Sequence, residues 1–279
     1  PAPHPGPGPS ATPMDQTAAA DRAWELWERG ETEALARFLE RCQRRGSGEP
    51  SGGVLSALLA LETQDMPGAQ RWLEGARRAL PAADPGLLLA QAEFDLAHWR
   101  LEPARAGFAA LLEQGPDAPL WLRYSLCADL LGDLAEGERA VRAAGELDPE
   151  GFGRLPWLEV DQFSALVERA AERLAPEFAA ALGRWPVLID PVPSRLLARE
   201  RPLETPPDAL GLFVGHSDLE RGAEGQGTAP AAIYLFQRNL QRFCGDAEML
   251  EEEVATTLYH ELGHALGFDE EGLTELGLE

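Results

Sequence analysis

The chain has no lysine. Its 24 basic residues are all arginine, against 47 Asp and Glu, and the net charge is −23 over 279 residues. The absence runs through the whole chain, so it reads as a compositional bias rather than a mechanism. The basic surface that neutralises phosphates is missing, which argues against a nucleic-acid partner. The same deficit disfavours docking on anionic membranes. No run of about 18 uncharged apolar residues is present, so no membrane span is expected. Pro1–Pro13 lacks both the charged start and the apolar run of a signal peptide. Cysteine is scarce too: Cys42, Cys127 and Cys244 stand far apart with no CxxC. They fit neither a disulfide framework nor a zinc ribbon and suit a reducing, cytoplasmic setting. What is present is ordinary for a globular chain. Hydrophobic residues make up 44%, enough for real cores, and the length suggests about two domains.

Residues 1–14 read as a Pro- and Gly-rich disordered tail. From residue 15 to 150 the pattern is helical, with Ala, Leu, Arg and Glu dominant and apolar residues three and four apart. Breaks at Gly30–Glu31, Gly46–Gly53, Met66–Gly68, Pro81–Pro85, Leu101–Pro103, Gly115–Pro119 and Gly132–Asp133 predict about eight helices. The turns near Gly30, Asp65, Trp99 and Gly132 lie 33 to 35 residues apart. Ala104, Phe108, Leu111, Leu112 and Pro116 carry the pattern of a repeat's second helix. Gly68, Trp72, Ala76 and Pro81, then Gly137, Val141, Ala144 and Pro149, follow it more loosely. Residues 18–150 therefore resemble degenerate tetratricopeptide repeats. Stacked helix pairs of that kind form a solenoid with a concave surface, which implies a protein-binding platform. Trp24, Trp27, Trp72, Trp99 and Trp121 are expected as its packing aromatics.

Gly151–Pro156 breaks the helical texture. Residues 156–279 read as a small α+β domain. Val160–Leu182 is one helix or two, with Pro176 inside or between them. Short β-like runs follow at Trp185–Asp190, Leu210–Gly215 and Ala231–Phe236. Loops at Pro191–Ala209 and Ser217–Pro230 separate them. A last helix spans about Asp246–Gly267, with Glu248, Glu251, Glu252 and Glu253 near its positive end.

That last helix carries the chemistry. His260-Glu261-x-x-His264 sets two imidazoles four residues apart, on one helical face. Such a pair can bind one Zn²⁺, with Glu261 placed beside it to act as general base on a metal-activated water. Leu258, Leu262 and Leu266 mark the helix as packed. A half-buried His pair with no metal would carry a desolvation cost. Gly267 can take a positive φ and end the helix sharply, returning the following acids toward the pair. Catalytic zinc takes three protein ligands and leaves one open position. The spacing H-E-x-x-H-x-x-G-x-x-Z puts Glu270 in the position expected for a third ligand, and Asp269, one residue nearer, is the alternative. Glu271 and Glu275 read as solvated acids.

Beyond the pentapeptide, residues 160–279 resemble the small bacterial zincin-like metallopeptidases of minimal zincin fold. The likeness runs in order through Val160-Asp-Gln-Phe-Ser-Ala-Leu-Val-Glu, Trp185-Pro-Val-Leu-Ile-Asp, Leu210-Gly-Leu-Phe-Val-Gly and Ile233-Tyr-Leu-Phe-Gln-Arg-Asn-Leu. It is closest over Glu252 to Leu273. The fold it implies is a tetratricopeptide-like solenoid followed by a minimal zincin. The activity it implies is zinc-dependent hydrolysis of peptide or protein substrates. His260 and His264 would hold Zn²⁺, Glu261 would act as base, and the family's third acid lands on Glu270 or Asp269. The alternative is a repeat adaptor whose zincin binds metal but barely cleaves. The third β-like run, Ala231–Phe236, is expected to pair with an extended peptide.

Other residues read as structural. His216 suits a turn, His98 a repeat helix and His4 the tail. Cys244 suits a packed thiol rather than a redox switch. Tyr234, Arg238 and Tyr259 are conceivable oxyanion donors that more readily serve packing. Splitting the charge at Leu155 gives 24 acids and 15 Arg before it, −9. From there on, 23 acids and 9 Arg give −14. The acidity is concentrated in the metal-bearing part.

Overall fold

A computed structural model of the chain describes residues 13–45, 51–153, 157–174, 176–200, 205–215 and 231–275. The tail before Pro13, His216 and the Ser217–Pro230 loop lie outside the described residues. Those residues form two compact units, one ending at Gly115 and one beginning at Pro116.

The expected helices are there. They run α1 Pro13–Glu28, α2 Thr32–Arg44, α3 Val54–Glu62, α4 Met66–Ala79, α5 Pro85–Ala97, α6 Leu101–Gln114, α7 Ala118–Leu130 and α8 Leu134–Leu147. They pack as hairpins, α1 with α2, α3 with α4, α5 with α6 and α7 with α8. One turn recurs in all four. Gly30, Gln64, Trp99 and Gly132 each take φ between 57° and 87°. Each of these residues donates its N–H to the carbonyl three residues back, at 2.8–3.1 Å. Two of the four carry a side chain in a conformation that glycine adopts more cheaply.

Met66–Gly68 and Leu101–Pro103 open helices rather than break them. Pro67 and Pro103 sit in first turns, where proline's missing N–H costs nothing. Asp65, Asp84, Asp117 and Asp133 cap α4, α5, α7 and α8, each accepting a backbone N–H from three residues on. Gly68 and Ala76 of α4 are buried as the repeat pattern expects, and Trp72 is the exception. Ala69, Leu73 and Ala76 face inward, and Trp72 is 37% exposed instead of packed.

In the second unit, α9 Val160–Glu172 and α10 Pro176–Leu182 are separate helices, with Pro176 opening the second. Next come β1 Val187–Asp190, α11 Arg195–Glu200, β2 Gly211–Val214, β3 Ala232–Phe236 and α12 Gln237–Phe243. The chain then forms α13 Ala247–Leu266 and α14 Glu270–Glu275. The sheet order is β1-β3-β2, with β1 parallel and β2 antiparallel to β3. β3 is therefore central, with both edges paired, and cannot accept an added strand. The expectation that Ala231–Phe236 pairs with a peptide is corrected: among the described residues, the edge strand beside α13 is β2.

α13 is the spine of this unit. Leu250, Val254, Leu258, Leu262 and Ala265 form one stripe at helical spacing and are at most 1% exposed. They pack with Phe163, Leu166 and Val167 of α9 and with Ile233 and Leu235 of β3. Among the described residues, no helix is long and apolar enough to cross a membrane.

Candidate active site

His260 and His264 lie in the last two turns of α13 and bring their Nε2 atoms to 3.0 Å. Two nitrogens about 2.0–2.1 Å from one tetrahedral metal stand about 3.3 Å apart. The pair is within hydrogen-bond distance, and a shift of a few tenths of an ångström would let both nitrogens reach one ion. His264 Nδ1 lies 3.1 Å from the carbonyl oxygen of Phe268. A carbonyl only accepts, so the tautomer protonated at Nδ1 fits this contact and would leave the Nε2 lone pair facing His260. Metal-ligating histidines are commonly oriented by such a partner.

Phe268 is delivered by the helix end. Gly267 takes φ 102° and donates its N–H to the Gly263 and His264 carbonyls, while Phe268 N–H returns to Gly263 O at 3.0 Å. This Schellman closure needs a residue tolerant of the left-handed region, hence glycine. It turns the chain into α14. Leu273 of α14 is 1% exposed and packs onto α13 at Gly263, where a Cβ would overlap Leu273 Cδ2. Gly263 thus lets the acidic segment of α14 fold back along α13.

Glu261 points toward the sheet. It is 7% exposed, and its Oε2 accepts the Phe213 N–H at 2.6 Å. Phe236 N–H donates to Leu210 O, so Leu210, Leu212 and Val214 face β3, and Gly211 and Phe213 turn their backbone outward. The edge of β2 thereby holds the carboxylate. Gly211 permits this approach: a Cβ there would stand 2.7 Å from Thr257 Cγ2 and 2.9 Å from Glu261 Cγ.

The two candidates for third ligand are placed differently. Asp269 is exposed, and its Oδ1 caps α14 by accepting the Gly272 N–H at 3.0 Å. Glu270 opens α14, and its side chain lies outside the described residues, as does that of Glu275. Glu271 is exposed. Among the described residues no group of three His, Cys, Asp or Glu converges on one point.

The conceivable oxyanion donors have other partners. Tyr259 donates to Arg173 O, Arg238 binds Asp129, and Tyr234 stacks on Phe236. Sequence reasoning missed Phe213, Gly211, Gly263 and Leu273. Only the glycine inside His260–His264, on an otherwise packed helix, signalled a close neighbour.

No curated protein matches the chain. Over residues 182–278, which hold the sheet, His260, Glu261 and His264, the chain matches the family model of the zincin-like metallopeptidases.

Proposed function

We propose that the chain is a zinc-dependent peptidase whose metal is held by His260, His264 and Glu270. The observation that carries this reading is the Nε2 convergence at 3.0 Å beside a buried carboxylate. Glu270 is preferred to Asp269 because the Asp269 carboxylate already caps α14. When bound, Zn²⁺ supplies Lewis-acid polarisation of the scissile carbonyl and lowers the pKa of water. Everything else falls to the chain's own residues. The Phe213 N–H fixes the Glu261 carboxylate. Glu261 takes a proton from the attacking water and returns it to the leaving amine. An extended peptide pairing with β2 would have to use edge groups other than the Phe213 N–H, which Glu261 holds. The N-terminal hairpins, read as tetratricopeptide-like repeats, would recruit protein substrates or partners.

A second reading is a repeat adaptor whose zincin binds metal but barely cleaves. One observation favours it: the Glu261 carboxylate also ties α13 to β2, a structural task. Hydrolysis of a peptide library by zinc-loaded wild type and Glu261→Gln separates the two. The peptidase reading predicts a loss of about 10²–10⁴-fold at equal zinc content. Equal rates from both proteins, or none from either, would support the adaptor.

A further inference from the structure

The four hairpins differ at one position. Three residues before each left-handed turn stand Trp27, Leu61, Leu96 and Asp129. Three hairpins carry an apolar side chain there, and the last carries a carboxylate that is 2% exposed. A second exception accompanies it. Five residues after each turn stand Leu35, Ala69, Ala104 and Gly137. A Cβ at Gly137 would overlap the Asp129 carboxylate. The last hairpin is thus altered twice to accommodate one buried acid.

The acid's partners come from α12, more than 100 residues on. Arg238 Nη1 reaches Asp129 Oδ1 at 2.5 Å and Leu134 O at 2.8 Å. Arg242 Nη1 binds Asp129 Oδ2 and, at 3.2 Å, Ser125 Oγ. Burial lowers the Arg242 pKa, and Asp129 opposes that shift. A buried charge of this kind persists only when paired.

From Arg242 the contacts continue toward the candidate base. Arg242 Nη2 donates to Asn239 Oδ1 at 2.7 Å. Asn239 Nδ2 donates to Pro207 O at 3.1 Å and to Ala209 O at 2.8 Å. α7 grips the same segment a second time, through Arg123 and Asp208 at 3.2 Å. That segment leads into Gly211–Phe213, and the Phe213 N–H holds Glu261.

We propose that Asp129 is a positioning residue for Glu261, acting through Arg242, Asn239 and the entry to β2. The α7–α8 hairpin is then part of the catalytic unit, although the family match begins only at residue 182. The inference rests on Glu261 as base for its kinetic consequence; its structural consequence is read separately.

The test uses the full chain. Asp129→Asn should speed amide exchange in residues 211–214 at least tenfold. It should lower kcat about tenfold with KM nearly unchanged. Asp129→Asn leaves the buried Arg242 and the half-buried Arg238 with a weaker partner, so folding is a concern. The double variant Asp129→Asn/Arg242→Met withdraws one of those charges as well and should show the same two effects. Asp95→Asn is the control. Asp95 is a buried acid of α5 paired with Arg100 of its own hairpin. Its loss should speed exchange in α5 and α6 and leave 211–214 unchanged. Faster exchange confined to α7 and α8 in both Asp129 variants overturns the proposal, as does an unchanged kcat. If zinc-loaded wild type cleaves nothing, the peptidase reading fails, and exchange at 211–214 alone decides whether Asp129 holds β2.

Discussion

The two units build their cores differently. In the unit ending at Gly115, the buried residues come from consecutive hairpins, each closed by the same turn. In the unit from Pro116, α13 gathers residues from α9, β3 and α12 that lie up to about a hundred positions away. Local closure needs only a periodic pattern and a cap. The gathered core needs every contributor present before α13 can present its histidines. The polar contacts divide the same way. Asp95 takes its arginine from its own hairpin, whereas Asp129 takes both of its arginines from α12.

The sharpest way to break this comparison is to truncate each core. Leu258→Ala, at 0% exposure, should cost about 2–5 kcal/mol. It should also speed exchange across α9, β3 and α13 together. Leu35→Ala, equally buried, should cost a similar amount but leave exchange in α13 unchanged. Loss of α13 protection in the Leu35 variant would show that the two cores unfold together. Both are read by denaturant unfolding with peptide-resolved exchange.

A smaller effect is expected where the gathered core meets the site. Gly211→Ala forces a methyl against Thr257 and Glu261 and should destabilise by about 1–3 kcal/mol. Its exchange signature should centre on residues 211–214 and on α13. A substitution with no effect on either segment would mean that β2 does not rest on α13 as described.

In the hairpin unit, Asp84→Ala removes the cap on Leu87 N–H, a 2.9 Å bond. It should cost about 1 kcal/mol, with exchange increased mainly in α5 and its immediate neighbours. The smallest effect concerns Cys244. Burial first, then Glu253 and Asp246, push its thiol up to about 12. At pH 8 it stays protonated, so native protein should leave Cys244 unlabelled by iodoacetamide, while unfolded protein labels it. Rapid native labelling would contradict its burial.

The two units were also unequally legible in sequence. Helix number and turn spacing followed from periodicity because hairpins are local. The exposure of Trp72 did not, since the neighbouring Leu73 takes the inward position that the aromatic was expected to fill. In the second unit, His260, Glu261, His264 and the Gly267 stop were readable from spacing alone. The β-like runs were readable too, but not their order, because pairing partners are set by tertiary packing. That is why β3 was expected at the edge and stands at the centre. The Phe213 N–H on Glu261 had no sequence signal, because a backbone donor has no residue identity. Asp129 was invisible for a related reason: an acid at a helix end looks solvated until its arginines arrive from α12.

The central claim is that His260 and His264 form a metal centre with an open position. X-ray absorption at the zinc edge of the zinc-loaded full chain tests it most directly. The expected spectrum has two imidazole nitrogens and light oxygen donors around zinc, with one imidazole lost in His264→Ala. Sulfur donors, four protein nitrogens, or a spectrum unchanged by His264→Ala would contradict it.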